Sequence, residues 1–442
     1  MAANYIKTIL EKRKKGIHCG IPSFCTANKI VIEACLEQAK KNNDYVIIES
    51  TSNQVNQNGG YTKMLPKDFA EFVYKVAKKI KFDKSKIILG GDHLGPLPWA
   101  NEDEETAMKE AEKLVELCVM AGYLKIHLDT SMKLGSDPVD KPLLDETIAR
   151  RGVRLYKKAE EAFEVYRKGH PRAIHPVYVI GSEVPVPGGA KEKEDDGLKV
   201  TSKKDFENTL SAYSKEFAKA GIKNPWKNIV AVVVQPGVEF SNFDIHKYNR
   251  KEAKKLCSTL KRYPSLVFEG HSTDYQSPAA LRQMVEDGIA ILKVGPALTY
   301  ALREALFGLA MIENELVPEN ERSNFIDVLE QEMLKNPKHW QKYYFGNELE
   351  IHLQRKYGLS DRSRYYMTLP VIEQSIDKLV KNLEKVQIPM GMLKQYAPLQ
   401  YARVRDNELP LTPYELLKAN VSTIIDVYNF AVKANFMFGD VF

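Results

Sequence analysis

The feature that most constrains the fold is a regular alternation of short apolar runs and longer amphipathic segments along residues 1–315. Ile229–Val234 (IVAVVV) is apolar throughout, as expected of a parallel strand that is covered on both faces. The alternation yields eight strand–helix units, the number that closes a (β/α)8 barrel. We therefore predict an α/β fold, a TIM barrel; a doubly wound open sheet is the alternative and usually has fewer strands. The predicted strands are Ile17–Cys25, Tyr45–Thr51, Ile87–Gly91, Leu124–Asp129, Val177–Gly181, Ile229–Val234, Leu266–Glu269 and Ile289–Val294.

The strand–helix pattern stops near residue 315, and prolines then separate helical segments. Val371–Leu383 and Pro413–Asn435 have the spacing of amphipathic helices. We predict a barrel over residues 1–315 and an α-helical extension, packed on the barrel, over residues 316–442. The charged segment Lys191–Lys204 follows several prolines and glycines and is predicted to form a loop over one barrel mouth.

The composition excludes several classes of protein. With 44% hydrophobic and 28% charged residues the chain can bury a large core. The net charge is +6, and the basic residues are spread along the sequence without the concentrated stripe typical of nucleic-acid binding. The five cysteines are far apart, which favours free thiols in a reducing compartment. No dinucleotide or P-loop glycine motif, membrane-spanning run or secretion signal is evident. We expect a cytoplasmic protein with neither nucleic acid nor membrane as a partner.

Polar residues cluster where the predicted strands end, which is the catalytic face of such barrels. Asp92 and His93 stand between glycines after the third strand, and His271 follows the seventh. A histidine offers a nitrogen ligand to a divalent metal and a carboxylate can take a proton, so we predict that His93 and His271 share a metal. The candidates that would complete the site are Glu183, Gln235 and Asp129; His127 is equally compatible with a role in packing the barrel interior.

Other strand ends suggest where an anion would bind. Ser272, Thr273 and the backbone of Gly295 follow the last two strands, where barrels commonly bind phosphate, and Lys293 lies on the eighth strand just before Gly295. Ordinary capping of a helix by serine or threonine is the alternative. The turn at Asn58, Gly59 and Gly60 could hold a second anion or be only a tight turn. Arg362 and Arg364 could reach an anion from the extension or form surface salt bridges.

Several long motifs, in one order along most of the chain, resemble the GatZ/KbaZ family of tagatose-1,6-bisphosphate aldolase subunits. The motifs are NQVNQNGGYT at 53–62, LGGDHLGP at 89–96, KIHLDTSM at 125–132, IGSEVPVPGG at 180–189, VVQPGVEF at 233–240, HSTDYQ at 271–276, LKVGPALT at 292–299 and SDRSRYY at 360–366. The family is related to the zinc-dependent class II fructose-bisphosphate aldolases, which are (β/α)8 barrels. In that superfamily the Asp-His pair that matches Asp92 and His93 supplies a proton-transfer group and a zinc ligand. His271 matches a second zinc ligand, and Asp129 also has a counterpart.

The resemblance departs from the aldolases after the sixth strand, where they place a third zinc histidine and this chain has Gln235. Glutamine is an uncharged oxygen donor, so the implied metal extends beyond Zn to Mn, Ni or Mg. Family members include non-catalytic partners of an aldolase subunit and epimerases that interconvert fructose and tagatose, free or 6-phosphorylated. A self-sufficient aldolase is a third possibility.

From this resemblance we predict a metal-dependent enzyme that inverts C4 of a ketohexose, or of its 6-phosphate, by retro-aldol cleavage and re-formation of the bond. Asp92 would take the C4 hydroxyl proton, and Glu183 or Asp129 would return one. The alternative is a non-catalytic stabilising subunit of a tagatose-1,6-bisphosphate class II aldolase. The expected partners are the sugar, a catalytic aldolase subunit in the alternative case, and further copies of the chain.

Overall fold

Eight parallel strands close into a barrel in the computed structural model, which describes residues 4–181 and 198–434. The strands are β1 (Ile21–Cys25), β2 (Val46–Thr51), β3 (Ile87–Leu94), β4 (Lys125–Leu128), β5 (Val177–Ile180), β6 (Ile229–Val234), β7 (Glu239–Phe240), β8 (Ile245–His246), β9 (Val267–Gly270) and β10 (Ile289–Val294). The barrel order is β1-β2-β3-β4-β5-β6-β9-β10, with β10 pairing back to β1, and β7 and β8 form a small antiparallel hairpin after β6. The prediction of a TIM barrel is confirmed, and the closed sheet excludes the doubly wound alternative.

A helix follows each barrel strand along the chain and covers the outside of the sheet. The helices from the N-terminus to the end of the barrel are α1 (Tyr5–Lys14), α2 (Lys29–Lys41), α3 (Pro66–Lys79), α4 (Glu104–Met120), α5 (Asp145–Gly169), α6 (Lys203–Lys219), α7 (Arg250–Cys257), α8 (Pro278–Glu286) and α9 (Pro296–Leu316). The later helices are α10 (Phe325–Lys335), α11 (Glu348–Tyr357), α12 (Pro370–Glu384), α13 (Met390–Tyr396), α14 (Pro398–Arg405) and α15 (Pro413–Val432).

Helix α1, which the sequence did not predict, closes the amino-terminal end of the barrel. Its buried side chains Ile6, Ile9 and Leu10 join the apolar cluster formed by inward-facing residues of the strands. Asn4 caps the helix through its side-chain oxygen and donates a hydrogen bond to the carbonyl of Leu124 at 2.9 Å. The bottom of the barrel is therefore sealed by apolar side chains, and polar chemistry is confined to the opposite end.

The helices after residue 316 pack on the barrel side that carries α2, α8 and α9. The predicted helices at Val371–Leu383 and Pro413–Asn435 correspond to α12 and α15. Tyr428 of α15 donates a hydrogen bond to the carbonyl of Thr273 at 2.8 Å, so the last helix contacts a strand-end loop directly. The division at residue 315 stays a prediction. Within the two described ranges, no helix is both long enough and apolar enough to span a bilayer.

Candidate functional site

A ring of buried charges lies inside the barrel: Lys125 begins β4, whereas Glu269 and Lys293 lie near the carboxyl ends of β9 and β10. Lys125 places its Nζ 2.6 Å from Glu49 Oε1 and 2.8 Å from Glu269 Oε2. Lys293 places its Nζ 3.0 Å from Glu49 Oε2 and also contacts Asp92. Burial raises the pKa of Glu269, but the Lys125 ammonium more than offsets this and holds that pKa below its usual range. Glu269 is therefore ionised at neutral pH, and each ammonium is shared between two carboxylates.

The turn at Asp92 and His93 depends on unusual backbone geometry. His93 has a φ of +47°, and the pairing of β3 with β4 shifts register there. Adjacent residues of a regular strand point to opposite faces, but this turn brings His93 Nε2 to 3.6 Å from Asp92 Oδ2. Gly90 is required nearby, because a Cβ at that position would lie 2.5 Å from Oε1 of Glu49. The glycines of this motif thus make room for the charged ring.

Three histidines face one another beside the ring, with ring centroids 4.9 to 5.1 Å apart. One nitrogen of each imidazole is within hydrogen-bond distance of a buried carboxylate. The pairs are His93 Nδ1 with Asp129 Oδ2 at 2.7 Å, His127 Nδ1 with Asp92 Oδ1 at 2.9 Å, and His271 Nε2 with Glu269 Oε1 at 3.0 Å. A carboxylate that accepts from one ring nitrogen fixes the tautomer and leaves a lone pair on the other nitrogen.

His127 shows the consequence most clearly. We assign its Nδ1 proton to the bond with Asp92, because an ionised carboxylate has no proton to donate. The backbone N of His93 lies 3.2 Å from the same nitrogen. Because Nδ1 carries a proton in this tautomer, it has no lone pair with which to accept a hydrogen bond from that N–H. The other nitrogen, Nε2, is buried and has no hydrogen-bond partner among the described residues. Burial lowers the pKa of His271 to about 3, although Glu269 opposes the shift, so the His271 imidazole is neutral at neutral pH.

These donors fit a divalent metal. One ligand atom from each of Asp92, His127, Glu269 and His271 can be chosen so that all lie within 4.8 Å of one another. Neutral imidazole nitrogens and carboxylate oxygens are suitable ligands for Zn, Mn and Ni. Nε2 of His127 has a lone pair available to a metal ion, because no hydrogen-bond donor among the described residues contacts it.

The metal ligands predicted from the sequence are only partly brought together. His271 belongs to the four-residue group, and His93 lies beside it. Gln235 is turned away, because its Oε1 accepts hydrogen bonds from the backbone N–H groups of Gly237 and Val238 at 2.9 and 3.0 Å. Glu183 lies outside the described residues, as does the first half of the predicted covering loop Lys191–Lys204. Of the predicted proton-transfer groups, Asp92 lies in the ring and Asp129 holds His93.

A cavity opens above the ring, and some of the predicted substrate-binding residues line it. Ser272, Lys293 and Gly295 are in its wall. Thr273 lies below, where its hydroxyl donates to the carbonyl of Lys293 at 2.5 Å. The turn of Asn58, Gly59 and Gly60 is folded on itself, with Asn56 Oδ1 accepting from the N–H groups of Asn58 and Gly60. The neighbouring residues Asn53, Gln54 and Tyr61 reach the cavity instead.

The start of α9, where a phosphate was expected, already has an internal acceptor. Asp274 Oδ1 accepts from the backbone N–H of Gly295 at 3.1 Å and from that of Ala297 at 2.8 Å. Burial raises the pKa of this carboxyl group to about 6, against the opposing effect of those N–H donors. The helix N-terminus is therefore capped by the chain itself.

The region after the barrel also contributes to the cavity wall, through Arg364 and Tyr365. The segment is fixed by Asp361, whose carboxylate lies 2.8 Å from Nε of Arg303 and accepts from the hydroxyl of Thr299 at 2.5 Å. Sequence reasoning left open whether Arg364 is a surface residue; its side chain lies in the wall.

Sequence reasoning did not select four of the buried groups. Their signal was an ionisable residue within or just after an otherwise apolar strand, as in VIIES, KIHL and VFEG. These groups are Glu49, Lys125, Glu269 and Asp274.

Comparisons with known proteins cover almost the whole chain. The D-tagatose-1,6-bisphosphate aldolase subunit GatZ of Escherichia coli is 44% identical over 425 residues, which is 96% of this chain and 99% of that protein. The protein of the same description from Klebsiella pneumoniae subsp. pneumoniae is 44% identical over 429 residues, or 97% and 99% of the two chains. A crystal structure of a probable tagatose 6 phosphate kinase from Sinorhizobium meliloti 1021 superimposes with a TM-score of 0.85 at 42% identity, covering 94% of this chain and 100% of that one.

These relatives correct one prediction. The sequence led us to expect an enzyme that acts by itself as a ketose 4-epimerase, and this expectation is wrong. The similar curated proteins are described as subunits of an aldolase, at 43 to 44% identity over at least 96% of this chain. The resemblance to the GatZ/KbaZ family itself is confirmed.

The family model described as "D-tagatose-1,6-bisphosphate aldolase subunit GatZ/KbaZ-like" matches residues 6–433. That range includes the barrel, the charged ring with its histidines, and all helices after the barrel up to α15. The chain therefore belongs to the GatZ/KbaZ-like family of D-tagatose-1,6-bisphosphate aldolase subunits.

Proposed function

We propose that this chain is a subunit of a D-tagatose-1,6-bisphosphate aldolase and works beside a separate catalytic subunit. The observation that carries the proposal is 44% identity to GatZ subunits over nearly the full length of both chains. The match covers 96 to 97% of this chain and 99% of the relatives, so the likeness includes the helices after the barrel as well as the barrel.

The geometry after β6 supports a role other than self-sufficient aldol cleavage. A class II aldolase site needs a third metal ligand at that position, and Gln235 uses its side-chain oxygen to cap its own turn. Two buried ammonium groups also engage the carboxylates that would face a substrate, since Lys293 pairs with Asp92 and Lys125 with Glu269. The carboxylates at the mouth of this barrel are thus already paired with ammonium groups of the chain itself.

We further propose that the site takes one divalent metal through Asp92, His127, Glu269 and His271. Four buried carboxylates surround the site and two ammonium groups face them. Two negative charges remain uncompensated with neutral histidines, and one remains when His93 is protonated; burial opposes that protonation, but Asp92 and Asp129 outweigh it and raise the pKa of His93. A divalent ion, when bound, supplies matching positive charge and would also polarise a ligand oxygen. The chain's own part is to hold the imidazole tautomers through Asp92 and Glu269 and to keep water out of the ring.

The test of the subunit role is a comparison of activities. The chain is purified alone, the catalytic aldolase subunit of the same organism is purified alone, and the two are co-expressed; cleavage of tagatose 1,6-bisphosphate is then followed through its triose phosphate products. We expect no cleavage by this chain alone and a more active or longer-lived aldolase when it is present. Ketose 4-epimerisation is measured in the same samples as an independent check.

Two results would contradict the proposal. One is cleavage of tagatose 1,6-bisphosphate by the isolated chain at a rate comparable to that of the co-expressed pair. The other is a catalytic subunit whose activity and lifetime are unchanged by this chain. A suitable control is the Arg405→Gln variant, since Arg405 is an exposed residue that pairs only with its neighbour Asp406 among the described residues and should behave as the parent does.

A further inference from the structure

Two arginines after α11 place positive charge beside the cavity, and among the described residues neither has a carboxylate in salt-bridge contact; Asp361 and Asp274 act on Arg364 only from a greater distance. No carboxylate oxygen of the described residues lies within 4 Å of Arg362 or Arg364; their nearest acceptors are backbone carbonyls and a phenol. Asp361, which stands before both, is engaged by Arg303 and Thr299. Uncompensated guanidinium groups in a largely buried setting favour the binding of an anion.

Neighbouring side chains register this positive field. Burial raises the pKa of Tyr365, but the guanidinium groups of Arg364 and Arg362 outweigh it and lower that pKa below its ordinary value. His339 stacks on Tyr365 with centroids 4.8 Å apart, and its pKa is lowered by burial and by nearby cations that include both arginines. Nearby positive charge lowers the pKa of a phenol and of an imidazole alike, so both shifts have the direction expected beside these arginines.

Arg364 is the arginine that reaches the cavity. Its guanidinium lies over the ring of Tyr365, with the central carbon 4.4 Å from the ring centroid. One terminal nitrogen donates to the carbonyls of Ser360 and Asp361, and the other donates to the Tyr365 hydroxyl at 3.0 Å. These bonds fix the plane of the group and leave Nε–H and one terminal N–H without an acceptor within the described ranges. A planar guanidinium with two free N–H groups can donate two hydrogen bonds to a single phosphate or carboxylate.

The competing anion site is closed by the chain's own carboxylate. Asp274 accepts from the N–H groups of Gly295 and Ala297 at the start of α9, where barrels usually bind phosphate. An incoming anion there would have to displace a carboxylate that is already desolvated and hydrogen-bonded. Arg364 lines the same cavity and has no such occupant.

We propose that the guanidinium of Arg364 is the receptor for the anionic group of a small phosphorylated polyol that binds in the barrel mouth. The choice of a phosphorylated polyol rests on the proposed function, whereas the anionic character follows from the unbalanced charge. The hydroxyl groups of the ligand would face Asn53, Gln54 and Lys293, which line the same cavity. The helical region thereby contributes a binding group, in addition to covering barrel surface.

The experiment is isothermal titration of the full chain with inorganic phosphate, fructose 6-phosphate and, as the uncharged match, fructose. We expect the phosphate-bearing probes to bind more tightly than fructose. Arg364→Gln should weaken fructose 6-phosphate binding at least about ten-fold, because charge-assisted hydrogen bonds are lost, while Arg364→Lys should retain part of the affinity. Arg405→Gln, which changes an exposed arginine, should bind as the parent does. Circular dichroism of each variant checks that it is folded.

The proposal is overturned if the parent chain binds neither phosphate probe, or if Arg364→Gln and Arg364→Lys bind fructose 6-phosphate as tightly as the parent. It is also overturned if Ser272→Ala loses affinity while both Arg364 variants keep it, since the anion would then lie at the start of α9. Association with the catalytic aldolase subunit is measured on the same Arg364→Gln sample. If Arg364→Gln still associates with the aldolase subunit but no longer binds fructose 6-phosphate, the anion site is supported. If the parent chain does not associate with the aldolase subunit, the proposed function is contradicted, whereas the anion site is not.

Discussion

Lys125→Met should destabilise the protein strongly and in a pH-dependent manner. The substitution keeps an unbranched apolar stem and removes an ammonium group that lies 2.6 Å from Glu49 and 2.8 Å from Glu269, with all three side chains fully buried. Removing one partner of a buried ion pair costs about 3 to 5 kcal/mol. With an unfolding entropy of about 2.1 cal/mol/K per residue, a loss of about 4 kcal/mol lowers the Tm of a cooperatively unfolding chain of this length by about 4 °C.

The sign of the pH dependence follows from Glu269. Lys125 holds the pKa of Glu269 below its ordinary value, so this stabilisation is present above the unfolded pKa and is lost only as pH falls through the lower, folded value. In the variant, burial acts without the ammonium and raises the same pKa, so the variant's deficit should grow from pH 4.5 to pH 7.5.

The assay is thermal and urea unfolding followed by circular dichroism at both pH values, with Lys109→Met as the matched control. Lys109 lies 3.6 Å from Glu105 on an exposed face of α4, where such a pair is worth at most about 1 kcal/mol. A deficit for Lys125→Met no larger than that of the control at pH 7.5, or one that does not change with pH, would show that Lys125 does not stabilise the fold by pairing with Glu269.

Three further predictions concern other parts of the molecule. His127→Ala should lower the number of Co²⁺ ions bound per chain, measured by elemental analysis after dialysis, whereas His246→Ala on the β7–β8 hairpin should not; equal stoichiometry in both would remove His127 from the ligand set. Asp274→Asn should become more stable relative to the parent as pH rises from 4 to 7.5, by up to about 3 kcal/mol of unfolding free energy. The reason is that the raised pKa of Asp274, about 6, makes its ionisation in the folded parent unfavourable. A pH-independent difference between the two proteins in urea unfolding would contradict this. Ile6→Asp should lower the Tm by several degrees, since a charge would enter the apolar plug at the bottom of the barrel, and an unchanged Tm would show that α1 does not seal it.

The fold was predictable because the barrel strands are nearly pure apolar runs. The predicted bounds of Ile229–Val234 and Ile289–Val294 agree with the structure to the residue. The first strand begins at Ile21 instead of Ile17, which is partly exposed and precedes the barrel. Helix α1 was missed because its abundant basic residues obscure the three apolar positions that make one buried face.

The site was predictable only to the level of which strand ends meet. The carboxyl ends of parallel strands converge, so Asp92, His93 and His271 could be placed at one mouth from their positions alone. Which imidazole nitrogen faces which carboxylate depends on the positive φ of His93 and on strand register, and neither is readable from residue types. The hydrogen bonds that turn Gln235 away from the mouth are likewise set by the local turn.

The most direct test of the subunit role is a titration of the purified catalytic aldolase subunit with this chain, followed simultaneously by light scattering and by the rate of tagatose 1,6-bisphosphate cleavage. We expect a complex to form at a fixed ratio, and we expect the activity, or its half-life at a set temperature, to saturate at the same ratio. Two separate species at every ratio, together with cleavage proportional to the amount of this chain alone, would contradict it.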